Sequence, residues 1–388
     1  MNRHPCQSRR KFLKQVFAAL SAASTVRSLQ AVVGGSGSLT RSPVAIARCR
    51  RYEFDQVKKT LSQMFDQVGG IESLVRGKTV TVKVNLTGNW TAKTYTLSAL
   101  ETVFTHPIVV LAACSLFSGY GTNRIIICDS SYQVADPRVV YQTLGYDVTL
   151  FESMIPGLVW EDTRNMGSGK SYRTIQVGRG AYLYSSFEVN HRYADTDVMV
   201  SIPKMKNHQI AGITLSMKNL FGITPSALYS SNLQNENSTD ARQKVLHEGG
   251  LSAAGGEILP VPSEAPGFRV PRAVVDIVRA RPIDLSIIDG IVSMHGGEGQ
   301  WQGPSLGIVV PGLLIVGRNP VCTDSVATAV MGYRPEAPDW TAPFQNGANT
   351  LRLAAESGIG TNRLSEIEVI GMSIGSARHA FQPVFREP

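Results

Sequence analysis

Thr79-Val80-Thr81-Val82-Lys83-Val84-Asn85 is short, β-branched and closed by a polar residue, which predicts a strand. The same form recurs along the chain. Arg124 to Cys128 precedes Asp129, Asp197 to Ile202 precedes Pro203-Lys204, and Asp284 to Ile288 precedes Asp289-Gly290. Asp147 to Phe151, Leu313 to Val316 and Ile367 to Ile370 read as further strands. Two longer stretches, His106 to Tyr120 (closed by Gly119 and Gly121) and Asp324 to Met331, read as helices. Short apolar strands alternating with helices predict an α/β fold with a mostly parallel sheet flanked by helices. In such sheets functional groups gather beyond the carboxyl ends of the strands. Those ends carry Asn85, Asp129, Lys204 and Asp289. Two segments interrupt the alternation. Ser153 to Arg179 reads as a hairpin or loop insertion, and Ser226 to Pro271, rich in Ser, Asn, Gly and Pro, as a long loop insertion near 226–271 that could form a lid.

The chain has 388 residues, 43% hydrophobic and 18% charged, enough to bury a sizeable core. No apolar run reaches the ~18 residues a spanning helix requires, which excludes an integral membrane segment. The net charge of +8 is unevenly placed. Six of the 38 basic residues (Arg3, Arg9, Arg10, Lys11, Lys14, Arg27) lie within 1–34, which holds no acid. The remaining 32 face 30 acidic residues, so the body offers no electrostatic case for nucleic acid. Ser8-Arg9-Arg10-Lys11-Phe12-Leu13-Lys14, followed by the mildly apolar Val16 to Val26, has the order of a twin-arginine export signal. The expected organisation is a signal and linker over 1–34, one large α/β domain over 44–375 and a C-terminal tail over 376–388. The expected partner is the twin-arginine translocase, and the expected location is the periplasm or the exterior. Cys114, Cys128 and Cys322 sit in apolar runs and read as buried small side chains. No two of the five cysteines have CxxC spacing, so an iron–sulfur cluster is not supported.

The segment with most chemical content is Pro203-Lys204-Met205-Lys206-Asn207-His208, continuing through Thr214 to Lys218-Asn219-Leu220-Phe221-Gly222. It puts three lysines in or beside an apolar strand–helix unit, with no acid from Lys204 to Asn235. Lysines near a core are costly unless an anion or a carboxylate meets them. One reading is a pocket for a phosphate or carboxylate, or a lysine of lowered pKa. The other is structural pairing with Asp129 or Asp289. A second constellation, Asp289, His295 and Glu298 among glycines, supplies ligand types suited to a divalent metal, as does Asp129. In Asn319-Pro320-Val321-Cys322-Thr323-Asp324, Asp324 reads as a helix-capping acid.

These stretches together resemble the domain of unknown function 362 family. The resemblance rests on Val82-Lys83-Val84-Asn85-Leu86, the Pro203 to Gly222 motif, Asp284-Leu285-Ser286-Ile287-Ile288-Asp289-Gly290 and Asn319-Pro320 with Asp324, in the family's order. Asn319 stands where relatives usually have Asp, and the ferredoxin-like domain some relatives carry has no counterpart here. The family name implies no reaction. Two functions stay open. The first is an exported enzyme acting on an anionic small molecule, with Lys206, His208 and Lys218 catalytic and Asn85, Lys204, Asn207, Thr214 and Asn219 binding substrate. Asp129, Asp289, His295 and Glu298 would then hold a metal or tune the lysines. The second is a periplasmic anion-binding or accessory protein without catalysis.

Overall fold

The computed structural model describes residues 42–87, 93–131, 135–240, 242–249, 253–259, 265–299, 301 and 306–384. The expected export signal and its linker lie outside these residues. Eight strands form the main sheet: β1 (Ser42–Arg48), β2 (Thr79–Lys83), β3 (Arg124–Asp129), β4 (Val159–Asp162), β5 (Val198–Ser201), β6 (Leu285–Gly290), β7 (Leu313–Gly317) and β8 (Ile367–Gly371). Their spatial order is β8-β1-β7-β6-β5-β2-β3-β4. Every neighbouring pair is parallel except the two made by β7, which runs against both β1 and β6. The reversal has a simple cause. The chain leaves β6 at its carboxyl end, makes the antiparallel pair Ser293–His295 with Gly307–Val309 there, and returns from that same end.

Both faces of the sheet are covered, by helices α1 (Phe54–Gln67), α2 (Pro107–Gly119), α3 (Pro137–Thr143), α4 (Val148–Met154), α5 (Ser216–Asn219), α6 (Pro266–Ala280), α7 (Pro320–Val330) and α8 (Thr350–Glu356) in chain order. Strand alternation divides the apolar side chains. Val82, Ile127, Val200 and Ile287 join one core with α1 and α2, while Cys128, Met199, Ile288 and Ile315 join the other with α6 and α7. Each fully buried Val, Leu or Ile stabilises the fold by roughly 1.5–3 kcal/mol, which is why these strands read as nearly continuous apolar runs. Cys49, Cys114, Cys128 and Cys322 are free thiols buried in this packing.

Four expectations about elements are corrected. Asp147 to Phe151 is not a strand: Val148–Met154 is helix α4, and the Asp147 side chain accepts a hydrogen bond from the Leu150 amide at its start. Helix α7 begins at Pro320, with Asn319 as its cap, so Asp324 lies inside it. Ser153 to Arg179 contributes β4 to the main sheet before Tyr172–Gln176 pairs with Ser186–Asn190. Within the expected loop 226–271, Ser226–Tyr229 is helical and α6 already starts at Pro266, carrying Pro271 inside it. The described part of the expected tail, 376–384, packs on the domain: His379 and Phe381 amides bond to Val330 and Met331 carbonyls, and Phe381 is 4% exposed.

Candidate functional site

Strands β2, β3 and β5 bring Lys83, Asp129 and the chain toward Lys206 to one edge of the sheet. In register, Lys83 stands between Cys128 of β3 and Ser201 of β5. Its ammonium, 1% exposed, donates to Asp129 Oδ1 at 2.6 Å and to the Val84 carbonyl at 2.7 Å. Asp129 also accepts from the Leu86 and Ser130 amides, at 2.6 Å each. A Cβ on Gly222 would stand 3.1 Å from Lys83 Nζ, so this glycine leaves room for the pair.

Beyond β5 the chain turns into a small hairpin, Lys206–His208 against Gly212–Thr214. Alternation sends Lys206 and His208 to one side and Asn207 to the other, where it bonds Tyr333 Oη and the Gly296 amide. Lys206 Nζ donates to the carbonyls of Val103 (3.0 Å) and Glu298 (2.8 Å). His208 Nδ1 accepts the Ile210 and Ala211 amides, both at 3.1 Å, so the ring proton sits on Nε2, 2.5 Å from Glu298 Oε2. Helix α5 follows, its first amides (Ser216, Met217) held by the Asp324 carboxylate at 2.9 Å each. Asn219 bonds back to the Lys83 carbonyl and Ser201 Oγ. Lys218 Nζ stands 4.2 Å from the Phe221 ring centre and makes no hydrogen bond or ion pair among the described residues.

These groups surround a cavity of about 930 Å³, lined by Lys83, Asn85, Asp129, Lys206, His208, Thr214, Lys218, Asn219 and Glu298 among others. Phe221, Ile210, Leu144 and Trp301 supply apolar wall, and Arg242 and His247 close it from the segment after α5. Arg242 is anchored there by Ser130 Oγ and the Thr224 carbonyl. Asn85 Oδ1 is buried with no hydrogen-bond partner among the described residues.

The electrostatics follow from burying several cations together. Burial pushes the Lys206 amine down to about 7, with Lys204 and Lys218 adding to the effect and Glu298 opposing it. Lys218 falls to about 8, again chiefly through burial, with Glu298 opposing and Arg242 and Lys83 helping. Burial works to raise the Glu298 carboxyl, but His208, Lys218 and Lys206 outweigh it and hold it at about 2. The His208 ring is held below its ordinary value by burial, and His247 falls to about 3 for the same reason.

Of the residues expected at the site, eight line this cavity as binding or catalytic candidates or as expected ligands beside them: Asn85, Asp129, Lys206, His208, Thr214, Lys218, Asn219 and Glu298. Lys204 does not. It is fully buried elsewhere, donating to Asp289 Oδ2 (2.6 Å), Tyr52 Oη (2.9 Å) and two backbone carbonyls, beside a stacked Tyr52–His106 pair. This is structural pairing, and it also removes Asp289 from the site. Asn207 is turned away. The four expected metal ligands are not brought together: Asp129 meets Lys83, Asp289 meets Lys204, Glu298 meets His208, and His295 Nδ1 accepts the Gln382 amide. Among the described residues no group of three His, Cys, Asp or Glu could hold a metal ion. Lys83, Ser130, Phe221, Arg242, His247 and Trp301 were not among the expected site residues. A lysine inside Val82-Lys83-Val84 was a visible signal, because a buried ammonium requires a partner; Arg242 and His247 carried none.

The family model described as domain of unknown function (DUF362) matches residues 80–329, from the start of β2 into α7. The chain belongs to this family. The DUF362 match spans every strand end that builds the cavity, together with Glu298 and Asp324. A thylakoid-associated protein from Synechocystis sp. is 25% identical over 309 residues, covering 79% of this chain and 80% of that protein. A crystal structure of a Thermotoga maritima protein aligns at a TM-score of 0.35 and 13% identity, over 66% of this chain and about half (54%) of that one. Among the described residues no helix is long and apolar enough to cross a membrane.

Proposed function

We propose that this DUF362 chain is an exported enzyme that holds an anionic small molecule in the Lys206–Lys218 cavity and uses an amine there for proton transfer. The observation that carries this reading is Lys218: its Nζ faces a cavity of about 930 Å³ with no hydrogen-bond acceptor among the described residues. Lys83 and Lys204 meet carboxylates; Lys206 has two carbonyls. An ammonium in that position is best satisfied by an anion from outside. Amines near neutrality exchange protons readily at physiological pH, which suits general acid–base work. The export half of the proposal rests on Arg9-Arg10 and the weak apolar stretch after them, and it implies the twin-arginine translocase as partner and a periplasmic or extracellular location. The reading assigns no step to a metal.

One observation favours a second reading, an anion-binding protein without catalysis. Both ring nitrogens of His208 are already engaged within the protein. Thermal denaturation with phosphate or a dicarboxylate tests what the two readings share. The midpoint of the wild type should rise with one of these anions, less so at high salt. Lys218→Met should fold and lose the rise. No shift in the wild type with either anion rejects the site.

A further inference from the structure

Four amines and guanidinium groups face this cavity, and they differ in how they are restrained. Lys83 is fixed by Asp129 and a carbonyl, Lys206 by two carbonyls, and Arg242 by Ser130 and Thr224. Lys218 Nζ has no such bond, lies over the Phe221 ring, and opens on space large enough for a tetrahedral adduct. The geometry points to Lys218 as a nucleophilic amine that forms an imine with a 2-oxo acid, whose carboxylate meets the neighbouring cations. This inference rests on the cavity being an anion site, and it adds the carbonyl chemistry. A carbonyl group gives the unrestrained amine something to attack. A carboxylate on the same molecule answers Lys206 and Arg242, and Phe221 offers an apolar surface to the remainder.

The step balances without any co-reactant. The Lys218 ammonium gives up a proton, and the freed lone pair attacks the carbonyl carbon as the C=O π bond opens onto oxygen. The resulting carbinolamine loses its oxygen as water, taking up the proton released first and one from nitrogen. The sum is one ammonium and one carbonyl giving one protonated imine and one water, with charge unchanged. Burial, opposed by Glu298 and helped by Arg242 and Lys83, brings this amine down to about 8 and keeps part of it in the nucleophilic form near neutrality.

The test is reductive trapping. The purified protein is incubated with pyruvate, 2-oxoglutarate or phenylpyruvate and cyanoborohydride, then digested and mapped by mass spectrometry. Trapping adds the mass of the oxo acid less one oxygen. For at least one acid, occupancy at Lys218 should exceed that at the exposed Lys59 and Lys78 by about tenfold, as an activated amine requires. Phosphate should compete. Lys206→Met should lower the trapping several-fold, because one of the cations that meet the carboxylate is gone. Labelling at Lys218 no greater than at Lys59 and Lys78 with all three acids overturns the proposal, as does label confined to Lys206. If trapping fails while phosphate still raises the thermal midpoint, the imine is rejected and the anion site stands. If both fail, both readings fall.

Discussion

Lys204 and Lys218 are both lysines of the same motif, yet the fold gives them opposite roles. Lys204 is enclosed with Asp289 at 2.6 Å, both fully buried. Lys204→Met strands that carboxylate, and the expected loss is about 3–5 kcal/mol in a urea titration, partly restored by adding Asp289→Leu. A loss below about 1 kcal/mol would show that the pair holds nothing in place. Lys218 makes no ion pair among the described residues and only adds to the pull of His208 on Glu298, so Lys218→Met should cost far less than Lys204→Met in the absence of ligand. The pH dependence carries the same contrast. Lys206 and Lys218 bind protons less tightly folded, at about 7 and about 8, than at the ordinary 10.5 of the unfolded chain. Above the folded values the unfolded chain holds more protons, so these two groups make stability rise with pH. The rise should be visible from about pH 7 to about 9. Beyond that the buried cysteines, raised from 9.0, act in the other direction. Unfolding titrations at several pH values should give a flatter profile for the Lys206→Met/Lys218→Met double variant; an unchanged slope would rule out these amines as its source.

At the scale of elements, the same few residue types decide where helices start. Asp147, Asn319 and Asn349 each accept a backbone amide at the head of a helix. Asp147-Val148-Thr149-Leu150-Phe151 is apolar and β-rich enough to read as a strand, and the cap is what makes it helical. Asp147→Ala should therefore cost about 1 kcal/mol, with Asp147→Asn retaining most of it. Equal stability of all three proteins would remove the capping account. Asp324 takes a less local role. It sits within α7, and its carboxylate holds the first two amides of α5 across 107 residues or more of sequence. Burial pushes that carboxyl up to about 7, against the pull of those amides. The lysine helix α5 is only four residues long and would not form alone; Asp324 and the bond from Asn219 to Ser201 fix its angle to the cavity.

At the scale of the whole molecule, the reversed strand β7 keeps the excursion after β6 on the carboxyl side of the sheet, and that brings Glu298 and Trp301 to the cavity. Export belongs to this scale too. Arg9→Lys with Arg10→Lys should leave the protein in the cytoplasm, measured by cell fractionation; undiminished periplasmic delivery would refute the signal. The sequence by itself determined the α/β class and most strands of the main sheet. Their apolar runs reflect burial on both faces, a property that each strand writes locally. It also determined that lysines gather after β5, because a cation in an apolar segment stands out in one dimension. Which lysine meets which carboxylate was decided only in three dimensions. Lys83 reaches Asp129 across 46 residues and Lys204 reaches Asp289 across 85. No local pattern records such distances. Asn207, between Lys206 and His208 in sequence, was lost to the site by the period of the strand. Arg242 and His247 joined it because the segment after α5 packs against the cavity, Arg242 bonding Ser130 Oγ and the Thr224 carbonyl. Residue types carry chemical capacity, but a site also requires direction, and direction is set by strand register and by the packing of segments far apart in the chain.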